Sequence, residues 1–246
     1  MDRWYREDRS AFSDIIHSLK EYLCYLRDSR VREVCLPEGE DPASDMSPDQ
    51  EQAASNGKKI PPPLSLDRVR DELGDCRRCG LASSRTRIVF GEGNAHARIL
   101  FIGEGPGYEE DMTGIPFVGK AGKLLTQILE RGMGIARTEV YICNVVKCRP
   151  PQNRDPHEDE IAACFPFLEK QIDSIRPQVI ITLGLHAARS LLGIQPSMTL
   201  VRGRWHSYKG IPVMPTYHPA YVLRNYTSEI RRQVWDDVRE ALKALE

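Results

Sequence analysis

Four of the seven cysteines have the types and spacing of a metal centre. Cys76 and Cys79 form a CxxC pair, which places two thiolates on one tight turn. Cys148 follows a predicted strand, and Cys164 lies on the next predicted helix. Four thiolates suit either zinc or an iron–sulfur cluster. The set therefore predicts a metal centre that ties two distant segments of the chain together.

A glycine-rich loop, GEGPG at residues 103–107, lies between the two cysteine pairs in the sequence. Glycines such as Gly105 let the backbone approach a ligand closely, although an ordinary strand-to-helix turn has the same composition. Glu104 favours a functional loop, because a carboxylate held at a strand end in a cleft can orient or deprotonate a water molecule.

Three further side chains have both a functional and a structural interpretation. Phe117 suits a platform for a flat ligand, and it equally suits a core position. Asn144 offers one acceptor and two donors, which match a base edge or a structural hydrogen-bond network. His218 precedes a proline and is placed either to donate to a leaving group or phosphate or to cap a helix. Basic residues nearby suit a nucleic-acid backbone or a solvated surface: Arg202, Arg204 and Arg224.

The composition excludes several classes of protein. With 246 residues and 41% hydrophobic content, the chain can bury a sizeable core. It has no apolar run long enough to span a membrane, and its charged beginning is unlike a secretory signal. We therefore expect a cytoplasmic protein without a membrane partner, in which an odd number of cysteines fits thiols and metal ligands better than disulfides.

The chain divides into three predicted parts. Residues 1–35 contain an amphipathic helix, roughly 8–34, whose apolar stripe must pack on the main domain, on a copy of itself or on a partner protein. Residues 36–63 are acidic and proline-rich, which predicts a flexible linker. The main domain is predicted at residues 64–246 and is mildly basic, with 25 basic and 22 acidic residues after residue 63.

Strand and helix patterns alternate along the main domain. Apolar runs predict strands at Arg98–Ile102, Val140–Val146, Val179–Leu183 and Ile211–Met214. Helical spacing predicts helices at Leu66–Leu73, at Gly119–Arg131, from an N-cap at Asp155 to about Ile175, from the third strand to Leu192, and at Ser228–Leu245. This alternation is typical of a parallel α/β sheet, which binds ligands at the carboxyl ends of its strands.

Together these motifs resemble the family-4 uracil-DNA glycosylases, the iron–sulfur type. The resemblance covers roughly residue 64 to the C-terminus and rests on the cysteine set and on three stretches: GEGPGYEEDMTGIPFVGKAG (103–122), ICNVVKCRPPQNRDP (142–156) and PTYHPAYVLRN (215–225). It implies a three-layer α/β/α sandwich with a central four-stranded parallel sheet. It also implies hydrolysis of the N-glycosidic bond of deoxyuridine in single- or double-stranded DNA, and a 4Fe–4S cluster on Cys76, Cys79, Cys148 and Cys164.

The resemblance also implies roles for single residues. Glu104 would hold or activate the water, and His218 would stabilise the departing uracil anion. Phe117 would stack on the uracil and Asn144 would hydrogen-bond its edge. Glu110 falls where the family crowds the uracil C5 position. Gly105 and Arg224 belong to the uracil- and DNA-binding set, and because a covalently trapping relative has Gln at the position of Gly105, ordinary turnover is expected.

Two other functions are compatible with parts of the sequence. A non-catalytic zinc-binding module that binds nucleic acid would explain the four cysteines, but it leaves Glu104, Asn144 and His218 without roles. A nucleotide-binding enzyme would use the loop at 103–107 for phosphate, but the loop lacks the Lys-Ser/Thr of a P-loop. The glycosylase is therefore the preferred hypothesis.

Overall fold

The computed structural model describes residues 64–195 and 197–245. The predicted N-terminal helix and the predicted linker at 36–63 lie outside the described residues, so both stay predictions. No helix in the described ranges is long and apolar enough to cross a membrane.

The described part of the chain contains one mixed sheet of six strands. The strands are β1 (Glu92–Gly93), β2 (Ile99–Gly103), β3 (Tyr141–Asn144), β4 (Val179–Leu183), β5 (His206–Tyr208) and β6 (Ile211–Thr216). Their order is β1-β3-β2-β4-β6-β5. The four inner strands are parallel, and the two short edge strands pair antiparallel to them. The α/β class is confirmed, but the sheet has six mixed strands where a central sheet of four parallel strands is predicted. The two edge strands are too short and too exposed to show an apolar run.

Alternate residues of the inner strands pack into two separate cores. In β2, Leu100 and Ile102 face one core, whereas Ile99 and Phe101 face the other. Helices close both cores. Leu168 and Leu191 pack in the first core, and Leu125 and Val238 pack in the second. The sheet is therefore covered by helices on both faces, and its central strands are buried, as is usual for parallel strands.

The described helices are α1 (Leu66–Leu73), α2 (Tyr108–Thr113), α3 (Lys120–Gln127), α4 (Glu158–Ile175), α5 (Leu185–Leu192), α6 (Met198–Val201), α7 (Pro219–Arg224) and α8 (Ser228–Lys243). A π-helical turn, Ile128–Met133, continues α3 and ends at Gly134 in the left-handed conformation. The predicted helix at 119–131 is thus α-helical only over its first two turns. The other predicted helices and strands are present, with boundaries that differ by a few residues.

The start of α4 differs from its prediction in a way that affects the site. The N-cap is His157 rather than Asp155, and the Glu160 carboxylate accepts a hydrogen bond of 2.8 Å from the His157 N–H. Asp155 is therefore not used in capping. Its carboxylate instead lies 3.2 Å from the His186 ring.

Candidate active site

A cavity of about 750 Å³ lies at the carboxyl ends of the parallel strands. Its walls come from the loop after β2, the end of β3, the turn after β4 and the segment after β6. All seven predicted site residues other than the cysteines line it: Glu104, Gly105, Glu110, Phe117, Asn144, His218 and Arg224. The parallel sheet has therefore brought together side chains that are up to 120 positions apart in the sequence.

Two glycines let the walls of the cavity come close together. A Cβ at Gly103 would lie 2.4 Å from the Asn144 Oδ1 and 2.6 Å from the Phe117 Cζ. A Cβ at Gly105 would lie 2.8 Å from the Val146 Cγ2. A larger residue at Gly103 would displace Asn144 or Phe117, and one at Gly105 would press on Val146, so both glycines favour close packing at the strand ends.

Phe117 is held in an unusual backbone conformation. Its φ is 53°, which lies in the left-handed region that bulky residues rarely adopt. The ring is 6% exposed, borders the cavity and lies 5.7 Å from the His218 ring, centroid to centroid. Phe117 is thus both a core residue and a wall of the cavity, so the two interpretations of it are compatible.

The Glu110 carboxylate stabilises the backbone around Phe117. It accepts hydrogen bonds from the N–H groups of Gly107 (3.1 Å), Val118 (2.9 Å) and Gly119 (2.9 Å). These bonds join the loop after β2 to the start of α3. Glu110 therefore has a positioning role that sequence reasoning missed, and its predicted place near a uracil C5 atom stays a prediction.

Asn144 presents an unpaired polar atom at the cavity. The residue is 1% exposed, and its Oδ1 has no hydrogen-bond partner among the described residues. Its backbone carbonyl accepts from the Lys147 Nζ at 2.6 Å, which fixes the end of β3. Because an unpaired buried amide oxygen costs free energy, this atom is suited to a ligand that donates a hydrogen bond.

His218 is a neutral donor in this environment. Its Nδ1 accepts a hydrogen bond of 3.1 Å from the Ala220 N–H, so the ring proton is on Nε2. Desolvation by the cavity walls, reinforced by the positive charge of Arg224 and opposed by Glu110, lowers the pKa of His218 to about 4. The imidazole can therefore donate through Nε2 without carrying a positive charge at neutral pH.

Glu104 is close to two residues that sequence reasoning missed, Asp155 and His186. One ligand atom from each of the three side chains lies within 4.8 Å of the others. Burial and the neighbouring Asp155 raise the pKa of Glu104, while His186 opposes the increase. His186 follows β4 by three positions, so the rule that ligands bind at strand ends was a usable signal for it.

The three arginines considered from the sequence have different surroundings. Arg224 is exposed and lines the cavity, and Arg204 is exposed. Arg202 instead forms an ion pair with the buried Asp237, at 2.6 Å. Arg224 and Arg204 remain available to a nucleic-acid backbone. Arg202 is engaged with Asp237, which conflicts with the hypothesis that it contacts a nucleic-acid backbone.

The four predicted metal ligands surround one small apolar cavity on a different part of the domain. Three hydrogen-bond donors point at their sulfur atoms. The Arg78 Nη1 lies 3.3 Å from the Cys76 Sγ, the Arg85 Nη1 lies 3.5 Å from the Cys148 Sγ, and the Lys147 N–H lies 3.3 Å from the Cys164 Sγ. Such donors suit thiolates that carry negative charge at a metal centre.

The spacing of the sulfur atoms bears on the kind of metal centre. Tetrahedral zinc with bonds of about 2.3 Å brings thiolates to roughly 3.8 Å from one another. Among the described residues, no cysteine belongs to a group of three ligand atoms within 4.8 Å of each other. Burial also raises the pKa of Cys148 to about 11 and raises that of Cys164, so these thiols need a bound cation to ionise at neutral pH. The four thiols therefore fit a metal centre.

The fold and cavity define an α/β protein with a ligand site at the strand ends, and comparison with known proteins specifies its family. The family model of the uracil DNA glycosylase superfamily matches residues 90–239. A type-4 uracil-DNA glycosylase of Thermotoga maritima is 51% identical over 178 residues, which are 72% of this chain and 92% of the relative. One of Saccharolobus solfataricus is 48% identical over 189 residues, which are 74% of this chain and 87% of the relative. A type-5 uracil-DNA glycosylase of Pyrobaculum aerophilum is 28% identical over 144 residues, which are 52% of this chain and 63% of the relative. The chain belongs to the uracil-DNA glycosylase superfamily and, within it, to the type-4 family.

Proposed function

We propose that this protein hydrolyses the N-glycosidic bond of deoxyuridine in DNA and leaves an abasic site, as a monofunctional glycosylase of base excision repair. The observation that carries the proposal is the cavity in which Asn144, Phe117, His218 and Glu104 meet. Membership of the type-4 family supports it, and it leaves the non-catalytic zinc module disfavoured.

Binding begins with a base that leaves the helix stack, because a base inside a duplex is inaccessible to attack. The cavity of about 750 Å³ is roomy enough for one base and part of its sugar. Stacking on Phe117 contributes roughly 1–3 kcal/mol toward the cost of unstacking. The free Oδ1 of Asn144 accepts a hydrogen bond from an N–H of the uracil edge.

Hydrolysis then breaks the bond between the sugar C1′ and the uracil N1, and the electron pair leaves with the uracil. Negative charge grows on the uracil as positive charge grows on the sugar. The Nε2–H of His218 donates to the uracil O2, where charge develops. Glu104 orients a water molecule for attack on C1′ and takes its proton. Glu110 is proposed to border C5 and to disfavour thymine, and Arg224 to contact the DNA backbone.

We propose a 4Fe–4S cluster as the cofactor, held by Cys76, Cys79, Cys148 and Cys164. Two observations support it: the four thiols line one cavity, and hydrogen-bond donors point at three of their sulfur atoms. When bound, such a group supplies four metal–thiolate bonds that join the turn at 76–79 to the segment after β3 and to α4. Hydrolysis moves no electrons between donor and acceptor, so the role of the site is structural.

The test is excision from a uracil-containing oligonucleotide by the purified protein without added metal. Cleavage of the strand only after alkali, and only when uracil replaces thymine, is the expected result. The Glu104→Gln variant, purified in parallel, controls for a contaminating enzyme. Alkali-labile sites formed equally by the wild type and this variant would refute the proposed site, and none formed by a folded wild-type protein would refute the function.

A further inference from the structure

We propose that Asp155 and His186 are positioning residues that set the pH range over which Glu104 carries the negative charge needed to activate water. The inference rests on the proposed function of Glu104. Asp155 favours the protonated form of Glu104 and His186 favours the ionised form. Substitutions of the two residues should therefore have opposite effects.

The side chains of Glu104, Asp155 and His186 form one cluster in the wall of the cavity. Ligand atoms of Glu104, Asp155 and His186 all lie within 4.8 Å of one another, and all three residues line the cavity. The His186 Nε2 lies 3.2 Å from the Asp155 Oδ2. Each residue comes from a different element: the loop after β2, the segment before α4 and the first turn of α5.

Two carboxylates this close together repel each other when both are ionised, which favours the protonated form of Glu104, the more buried of the two. A proton on Glu104 would remove its ability to accept one from water. A protonated imidazole at His186 offsets the repulsion, because it adds a positive charge beside both carboxylates. The directions agree: burial and Asp155 raise the pKa of Glu104, and His186 lowers it.

Among the described residues, the other charged groups near the cavity are not causes of the raised pKa of Glu104. Arg154, next to Asp155, is paired with Glu160 at 2.6 Å. The Glu110 carboxylate accepts three backbone hydrogen bonds. Arg224 and Glu110 act on the pKa of His218. Asp155 and His186 are the charged neighbours that shift Glu104.

The experiment measures the single-turnover rate of uracil excision between roughly pH 4 and 9 for the wild type, His186→Gln and Asp155→Asn. Loss of His186 should move the acid limb of the profile to higher pH, by roughly half a unit to one unit for a partly exposed neighbour. Loss of Asp155 should move the limb to lower pH by a similar amount. Opposite shifts from two adjacent substitutions are difficult to obtain from a general structural disturbance.

Matched controls remove the same kinds of group elsewhere. His96→Gln replaces an exposed imidazole, and Asp173→Asn replaces an exposed carboxylate paired with Lys209; neither residue lines the cavity. Both variants should keep the wild-type profile. An unchanged acid limb in His186→Gln and Asp155→Asn, or shifts in the same direction, would overturn the inference while leaving uracil excision established.

A second measurement does not depend on activity. NMR titration of the side-chain carboxyl carbon of Glu104, assigned through its disappearance in Glu104→Gln, reports the same charge directly. Its midpoint should rise in His186→Gln and fall in Asp155→Asn. If the wild-type protein excises no uracil, the proposed function fails, and this titration still decides whether the two neighbours control Glu104.

Discussion

Asn144 and Thr182 each carry a buried side-chain oxygen that has no hydrogen-bond partner in the described part of the chain. The two residues differ in what lies beside that oxygen. Asn144 borders the large cavity at the end of β3, whereas Thr182 lies within β4 and does not line that cavity. An unpaired polar atom in a core is a cost to stability, but one beside a cavity is available to a ligand. At the scale of single residues, an unpaired buried oxygen beside the cavity can bind a ligand, whereas one away from the cavity only lowers the stability of the fold.

Replacing Asn144 with Ala should lower uracil excision by roughly 100-fold, because a hydrogen bond to the flipped base is lost. The folded state should remain, since the Asn144 Oδ1 makes no hydrogen bond within the described ranges that the substitution would break. Single-turnover rates and thermal unfolding measure the two effects. Thr182→Val is the matched control, with unchanged excision and equal or greater stability. Equal losses of activity in both variants would contradict the assignment.

His218 predicts a pH dependence of stability. Its pKa is about 4 when folded and about 6.5 when unfolded, so the unfolded chain binds more protons between these values. The contribution of His218 to stability is therefore complete above about pH 6.5, decreases as the pH falls, and is lost by about pH 4. Denaturant unfolding at several pH values should show a shallower decrease in His218→Gln than in the wild type. Identical slopes would show that His218 is not held neutral.

At the scale of elements, the site depends on how helices are attached to the strands that carry it. α8 is joined to β6 through the buried Asp237, whose carboxylate accepts from the Thr216 hydroxyl at 2.7 Å and pairs with Arg202 at 2.6 Å. Thr216 ends β6, two residues before His218. The four cysteines line one cavity on another part of the domain, where the proposed metal centre would make a comparable connection between the turn at 76–79 and α4.

Arg202→Met should lower the free energy of unfolding by roughly 3–5 kcal/mol, because it leaves the buried Asp237 carboxylate unpaired. Arg204→Met is the matched control, since Arg204 is exposed and forms no ion pair within the described ranges. Its stability should be unchanged, as measured by denaturant unfolding. A loss of less than about 1 kcal/mol for Arg202→Met would mean that the pair behaves like a surface ion pair.

Cys148→Ala should remove the brown colour of an iron–sulfur protein and lower stability at the same time, because the three remaining thiolates hold the group poorly and the segment after β3 is no longer attached to it. Visible absorbance, iron analysis and thermal unfolding measure the loss. Cys143→Ala changes a cysteine of similar burial on β3 that is not one of the four predicted ligands, and it should keep the full iron content. A full cluster in Cys148→Ala would refute the ligand set.

At the scale of the whole molecule, the proposed site lies within the described part of the chain. Every residue assigned to the cavity and to the metal centre lies between Cys76 and Arg224. The family model covers residues 90–239, and the type-4 relatives match about three quarters of the chain. The predicted N-terminal helix and linker are thus additions whose role remains the prediction of a contact with another protein.

Deleting residues 1–63 should leave uracil excision and thermal stability unchanged, because no described contact of the cavity or metal centre requires them. Comparison of the full chain with the shortened chain in the oligonucleotide assay and in thermal unfolding tests this. A loss of binding to a repair or replication protein, with both other properties preserved, would support the partner hypothesis. A large loss of stability would instead show that the segment packs on the domain.

The sequence alone determined the alternation of four strands and their helices, the residues at the strand ends and the cysteine set, because apolar periodicity and short motifs are local properties. Only the tertiary structure decided which polar residues meet. Asp155 looked like a helix cap, and its meeting with Glu104 and His186 depends on three elements packing together. The pairing of Arg202 with Asp237, the unpaired oxygen of Asn144 and the lowered pKa of His218 depend likewise on burial by distant parts of the chain. Local patterns specify elements, whereas distances and desolvation between remote residues exist only once those elements have packed.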